Sequence, residues 1–240
     1  MSAFGWGTLA ASSLVIGGVL ALALPIGRRA LGLVMAFGVG VLTSAVAYEL
    51  VEEAFQTSAW GVTWGLLAGA VAFYLGDFAL DRWGGHNRKR STDAPANASA
   101  MAIVLGIVLD GVPESVVLGL SLITTGTVSL AVLVAIFISN LPESIAATVG
   151  LRTQGWSRGR LIVLWSATAV ASGLAAAAGY TFLDAVSPGV VAFTNAFAGG
   201  AVLTMLADTM APEAYANGGR AVGLMTTVGF LCAFLLHALT

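Results

Sequence analysis

The sequence predicts an all-α integral membrane protein with eight transmembrane helices and inverted repeats in a 3+2+3 arrangement. Of the 240 residues, 58% are hydrophobic and only 9% are charged. Soluble domains carry about 25% charged residues, so this chain has too little polar surface to cover a globule in water. The expected surroundings are therefore a lipid bilayer. The net charge of −2 provides no basic field for nucleic acid, which is excluded as a partner.

Apolar runs of membrane-spanning length follow one another along the whole chain. A helix needs about 20 apolar residues to cross the hydrocarbon core. The runs lie at 6–27, 31–54, 60–82, 100–123, 127–150, 159–182, 188–214 and 219–239. Charged or turn-forming residues separate them. The chain, 1–240, is expected to form a single transmembrane domain, with a flexible cytoplasmic loop at about 83–99.

The positions of the basic residues predict the orientation. All ten fall in or beside a loop that follows an odd-numbered predicted helix: Arg28, Arg29, Arg82, Arg88, Lys89, Arg90, Arg152, Arg158, Arg160 and Arg220. Cytoplasmic loops carry the excess of Lys and Arg. We therefore expect the odd loops in the cytoplasm, both termini outside it, and the protein in the cell's inner or plasma membrane.

Two pairs of predicted helices share sequence. FGVGVLTSAVAYELVEEAF at 37–55 aligns without a gap with FAGGAVLTMLADTMAPEAY at 197–215, and LDGVPES at 109–115 aligns with ISNLPES at 138–144. In the predicted order the members of each pair cross the membrane in opposite directions. This pattern indicates inverted repeats, and transporters built from them bind substrate near the bilayer midplane.

Ionisable residues lie in the middle of the fourth and fifth predicted helices. An ionised group at the centre of a membrane helix costs at least ~2.5–3.5 kcal/mol. Asp110 and Glu114 are four residues apart and share one helix face, as do Ser139 and Glu143, with Asn140 beside them. The sequence therefore predicts a polar site from Asp110, Glu114, Ser139, Asn140 and Glu143.

A divalent metal ion is the ligand that this group suits. Pro113 and Pro142 each free a backbone carbonyl one turn earlier, which adds oxygen atoms. Close carboxylates do not all stay ionised without a cation. Oxygen ligands suit Mn²⁺, Fe²⁺ or Mg²⁺, and Zn²⁺ also accepts carboxylates. The alternative is that the prolines only kink the helices and protonated carboxyls pack between them; duplication of the motif disfavours it.

Further acidic residues suggest a route for cations. Glu49, Glu53, Asp208 and Glu213 are predicted to line an entry pathway at the outer face, although helix-end acids can also be simply solvated. Asp77 and Asp81, at the inner end of the third helix, are assigned to an exit pathway, with local pairing to Arg82 as the alternative. His86 and His237 are expected to be incidental.

At these residues the sequence resembles the ZIP (Zrt/Irt-like) family of metal-ion transporters, as a divergent prokaryotic-type member. The family's fourth helix reads His-Asn-x-Pro-Glu-Gly, and this chain has Asp-Gly-Val-Pro-Glu-Ser at 110–115. The fifth-helix pattern appears as Ser-Asn-Leu-Pro-Glu-Ser at 139–144. Asp110 and Ser139 replace the family's histidines, while Gly111 and Ala176 replace ligands of its second metal.

The resemblance implies uptake of a divalent cation such as zinc, iron, manganese, cobalt or cadmium by alternating access, and the replaced ligands predict a single metal site. No cofactor beyond the transported ion and no enzymatic activity are implied. Loss of the histidines leaves a non-transporting metal sensor or partner subunit as the alternative. An intramembrane aspartyl hydrolase is disfavoured because no second such Asp motif exists. Small residues permit a homodimer without requiring one.

Overall fold

The computed structural model describes residues 2–80, 82, 100–125, 128–183 and 186–239. Within these residues every regular element is a helix. The helices are α1 (Ala3–Ala23), α2 (Arg28–Ala45), α3 (Glu53–Thr57), α4 (Ala59–Leu80), α5 (Ala100–Thr125), α6 (Leu130–Thr153), α7 (Arg158–Leu183), α8 (Pro188–Met205), α9 (Ala211–Gly218) and α10 (Val222–Leu239). The predicted loop at 83–99, with His86, and Asp81 lie outside the described residues.

Two π-helical segments each connect a pair of α-helices into one longer, continuous helix. Val46–Glu52 joins α2 to α3, and Leu206–Met210 joins α8 to α9. Serine hydroxyls begin several of the other helices by accepting a backbone N–H of the first turn, as N-caps do. These hydroxyls belong to Ser2, Ser58, Ser129 and Ser157.

The described chain contains seven helical stretches long and apolar enough to cross a membrane. Large apolar side chains such as Trp60, Trp64, Phe182 and Leu224 are mostly exposed on the outside. A soluble protein does not expose so much contiguous apolar surface. The fold fits an α-helical integral membrane protein.

The sequence predicts eight spans, and the difference lies in the last stretch. Pro188–Leu239 covers 52 residues, a length of about 78 Å as one straight helix. It is interrupted at Gly219, whose φ is 65°. This left-handed conformation favours glycine. Beyond the interruption, α10 packs along α2.

The helices pack as two groups. The first, here called the site bundle, consists of α1, α5, α6 and α7, with α1 packed along α6 and α7, and α5 along α7. The Trp165 Nε1–H of α7 donates to Thr148 Oγ1 of α6 at 2.9 Å, and the indole lies against Gly18 of α1. The second, the flanking bundle, consists of α2, α3, α4, α8, α9 and α10.

Close contacts at glycines fix the direction of the helices in the flanking bundle. Gly32 of α2 approaches Gly218 of α9, Gly38 approaches Met210, and Val46 lies beside Gly199 of α8. Residue numbers rise along α2 while they fall along its partner. The α2–α3 helix is therefore antiparallel to the α8–α9 helix, so the start of α2 lies beside the end of α9.

This packing separates the charges between the two ends of the molecule. The described arginines lie at what we call the basic end: Arg28, Arg29, Arg82, Arg152, Arg158, Arg160 and Arg220. At the opposite end, here the glutamate end, lie Glu49, Glu52 and Glu53, where the α2–α3 helix finishes.

Glycines let two helix pairs approach to backbone contact. In each case a Cβ at the glycine would collide with a carbonyl oxygen of the facing helix. Small residues at membrane helix interfaces permit this close approach of two backbones. The contacts between α2 and α10 are Gly40 with Thr226 and Gly229 with Phe37; those between α4 and α8 are Gly69 with Phe197 and Gly200 with Leu66.

We expect Gly229→Ala to destabilise the protein by about 1–3 kcal/mol, because the added methyl group overpacks the α2–α10 contact. Gly223→Ala is the matched control: it lies on the same helix, and nothing stands within 4 Å of its Cβ position. Thermal unfolding in detergent, followed by tryptophan fluorescence, measures both. Equal melting temperatures for the two variants would contradict this account of the packing.

Candidate metal site

The central contact of the site joins the two helices that carry the repeated Pro-Glu motif. Glu114 of α5 is 2% exposed and Ser139 of α6 is fully buried. The Ser139 hydroxyl shares its proton between Glu114 Oε1 at 3.2 Å and the Ile136 carbonyl oxygen at 3.0 Å. Both residues lie near the middle of their helices, and Gly38 allows α2 to pack against the Ser139 backbone. The predicted juxtaposition of these two residues is confirmed.

An ion-sized cavity lies beside this contact. Its volume is about 10 Å³, and its polar lining includes Glu114, Ser115, Asn140 and Glu143, against small residues of α1. A space of about 10–15 Å³ holds one water molecule, so this cavity has room for one water molecule or one fully dehydrated ion. Asn140 is buried, and Glu143 is partly buried. Three of the predicted ligands therefore face one small volume.

Asp110 occupies a different position. It is buried on α5, one turn before Glu114, but it is not among the described residues that line this cavity. Within the described chain, no three His, Cys, Asp or Glu residues are placed to hold one metal ion together. Asp110, Glu114 and Glu143, which were predicted to converge on one metal ion, therefore do not do so in this conformation. The cavity instead combines two carboxylates with an amide, and the Ser139 hydroxyl adjoins Glu114.

An apolar barrier separates Glu114 from the glutamate end. A second cavity of about 20 Å³ touches Glu114 and is otherwise lined by apolar side chains of both bundles. These side chains are Leu42, Ala45, Val46, Leu50, Val117, Val132, Ala135, Ile136 and Val202. Apart from Glu114, this lining offers an ion no polar side chain.

Glu49 has a partner that the sequence analysis treated as incidental. His237 Nδ1 of α10 lies 2.7 Å from Glu49 Oε1, and the His237 ring stacks on Tyr48 with centroids 5.6 Å apart. The contact joins the last turns of α10 to the π-helical segment of the α2–α3 helix. Its two members are 188 residues apart in the sequence, which is why no local pattern predicted it.

The grouping of Asp208 and Glu213 with Glu49 and Glu53 in one entry pathway is wrong. Because the α8–α9 helix runs antiparallel to the α2–α3 helix, Asp208 and Glu213 lie toward the basic end. Asp208 is exposed, and Glu213 is buried. The two helices share a sequence pattern, but their antiparallel packing places equivalent residues at opposite ends.

Asp77 lies on the side where the exit pathway was predicted. It is partly buried near the end of α4, and the adjacent Gly76 packs against the Leu109 side chain of α5. Leu109 directly precedes Asp110. Asp77 therefore lies near the basic-end side of the candidate site, together with Asp208 and Glu213. The second exit residue, Asp81, is outside the described part of the chain.

No protein-family model matches this chain, and no curated protein is significantly similar to it.

We expect Ser139→Ala to destabilise the protein by about 1–3 kcal/mol, because it removes a buried donor to the Glu114 carboxyl group. Ser144→Ala provides the control. Ser144 is equally buried on α6, but its hydroxyl donates only to Leu141 O of its own helix. Thermal unfolding of both variants in detergent measures the difference. A loss as large for Ser144→Ala would show that the Ser139–Glu114 contact contributes nothing specific.

Proposed function

We propose that this protein is a divergent ZIP-type carrier that moves divalent metal ions across the membrane by alternating access, with uptake as its direction. The observation that carries the proposal is the ion-sized cavity faced by Glu114, Asn140 and Glu143 in the middle of two membrane-length helices. A buried carboxylate beside a partly buried one, in an apolar bundle, is costly without a compensating cation. A divalent ion offsets both charges and accepts the neighbouring oxygen atoms as ligands.

Asp110 supplies a third carboxylate in this proposal. It lies one helical turn from Glu114 on α5, so a small rotation of that helix would turn it toward the cavity. Oxygen ligands alone favour the harder divalent ions, such as Mn²⁺ and Fe²⁺, while Zn²⁺ and Co²⁺ remain acceptable. No resident cofactor is needed, because the metal ion is the substrate.

We further propose that the chain crosses the membrane eight times as an inverted repeat with an offset of 160 residues, from Phe37 to Phe197. Helix boundaries support this offset. The start of α2 at Arg28 corresponds to that of α8 at Pro188, and the two π-helical segments begin at Val46 and Leu206.

The close helix contacts support the same symmetry. Adding or subtracting 160 converts the Gly69–Phe197 contact into the Gly229–Phe37 contact. The same operation converts Gly40–Thr226 into Gly200–Leu66. Contacts that exchange in this way are those expected from a pseudo-two-fold axis in the membrane plane, on which a substrate site between α5 and α6 would lie.

The transport route in this proposal runs from the glutamate end to the basic end. Glu49 and Glu53 attract the cation at the outer side, and Asp77, Asp208 and Glu213 receive it at the cytoplasmic side. The site bundle moves relative to the flanking bundle. This movement opens the apolar barrier around Val46 and Val117, which both bundles build.

The alternative is a metal sensor or partner subunit that binds without transport. Two observations favour it: the family's histidines are replaced by Asp110 and Ser139, and the described residues contain no cluster of three metal-ligating side chains. Such a protein would bind metal in detergent yet carry no flux.

We expect Glu114→Gln and Glu143→Gln each to lower metal flux by at least ~10–100-fold. Substitution of a residue that only hydrogen-bonds to a metal ligand already costs that much in metal affinity or activity. Purified protein in proteoliposomes is assayed with Zn²⁺, Mn²⁺, Fe²⁺, Co²⁺ and Cd²⁺. Glu52→Gln removes the same charge at an exposed position and should leave flux unchanged.

Normal flux in both Gln variants would overturn the site assignment. Absence of flux for every ion in folded wild-type protein, combined with metal binding in detergent, would instead support the sensor.

We expect Ser187→Cys and Leu239→Cys to react with an impermeant maleimide from one side of the membrane, and Arg220→Cys from the other. The background carries Cys232→Ser, because Cys232 is the only cysteine. The pattern follows if Pro188–Leu239 crosses twice and turns at Gly219. Reaction of Ser187→Cys and Leu239→Cys from opposite sides would indicate a single crossing and eliminate the eight-span topology.

A further inference from the structure

A cavity at the basic end lies apart from the candidate metal site. It has a volume of about 350 Å³ and opens between α1, α6 and α7. Its lining residues are Ala21, Leu22, Val149, Arg152, Thr153 and Arg158. This volume is in the range of small-ligand sites, about 300–1,000 Å³. The metal-transport proposal makes no use of this cavity.

The lining combines two kinds of surface. Val149 of α6 is 41% exposed and belongs to the apolar outside of the helix bundle, and Leu22 of α1 stands beside it. Arg152 and Arg158 lie at the adjoining helix ends. One wall therefore meets hydrocarbon, while the rim carries two positive charges at the depth of the membrane–water interface.

The loop between α6 and α7 holds the basic rim in place. Arg152 Nη1 donates to the Trp156 carbonyl oxygen at 2.8 Å, which uses one of its five N–H donors. The Arg160 guanidinium lies 5.2 Å from the centroid of the Trp156 ring. Within the described chain, Arg152, Arg158 and Arg160 form no salt bridge with a carboxylate. Among the described residues, no carboxylate pairs with these three positive charges.

The general preference for basic residues on the cytoplasmic side does not account for this arrangement. Arg28 and Arg29 lie at the same end of the molecule but do not line the cavity. Arg152 and Arg158 combine a positive rim with an apolar wall open to the bilayer. The ligand that matches both surfaces is amphipathic and anionic.

We propose that this cavity binds the headgroup of an anionic phospholipid. The guanidinium groups of Arg152 and Arg158 contact its phosphate, and its acyl chains follow Val149 and Leu22 into the bilayer. Basic pockets between transmembrane helices bind lipid headgroups in this way. The lipid would join the ends of α1, α6 and α7, and so stabilise the site bundle at the basic end. This inference depends on membrane insertion and is independent of metal transport.

Native mass spectrometry of the full-length protein, delipidated in detergent and titrated with phosphatidylglycerol, tests the proposal. We expect Arg152→Gln/Arg158→Gln to weaken binding by about 25-fold, because each arginine near an anionic surface contributes about fivefold. Arg28→Gln/Arg29→Gln removes the same charge at the same end and should retain wild-type affinity. The single variant Arg158→Gln breaks no hydrogen bond described in the fold and should lose about fivefold if the double variant does not fold.

Three further outcomes would overturn the proposal. Equal weakening in both double variants would mean that the whole basic end attracts lipid without a defined site. Equal binding of phosphatidylcholine would remove the requirement for an anionic headgroup. Displacement of phosphatidylglycerol by millimolar inorganic phosphate would identify a site for a free anion rather than for a lipid.

Discussion

The burial of acidic side chains among apolar helices is the constraint on which the rest of this structure depends. Glu114 and Asp110 are each 2% exposed, near the middle of a helix with an otherwise apolar neighbourhood. A buried charge is strongly destabilising without hydrogen bonds or a counter-charge. Ser139 provides a hydrogen bond, and the small adjoining cavity provides room for a cation. The surrounding helices then have to hold α5 and α6 at this distance, with water excluded.

Close contact through glycine is what holds these helices together. Hydrocarbon offers no hydrophobic driving force between helices, so their association depends on tight van der Waals packing. The contacts at Gly40, Gly69, Gly200 and Gly229 fasten the flanking bundle, whereas Gly18 and Trp165 do so in the site bundle. Between the bundles, α2 packs along α6, where Gly38 meets the Ser139 backbone, and the apolar barrier adjoins this contact.

Three expectations from the sequence differ from the structure, each for its own physical reason. Glu53 and Glu213 occupy equivalent positions in one repeated pattern and were grouped in one entry pathway, although the predicted order of the helices already has them crossing the membrane in opposite directions. Antiparallel packing of their helices separates them to opposite ends of the molecule. The Glu49–His237 contact escaped notice because its residues come from opposite ends of the chain. Asp110 was assigned to the same site as Glu114, but it lies one turn earlier, about 6 Å away along the α5 axis, and does not line the cavity.

The sequence by itself determined the helical membrane fold, the segregation of charge and the candidate site on α5 and α6. Each of these depends on composition, on runs of about 20 residues or on local motifs such as the repeated Pro-Glu pair. Only the tertiary structure decided which helices are neighbours, that Ser139 donates to Glu114, and that Arg152 and Arg158 share a cavity with Val149. These features depend on the direction and rotation of the packed helices. Contacts between residues far apart in the chain set that direction and rotation, so no local pattern encodes them.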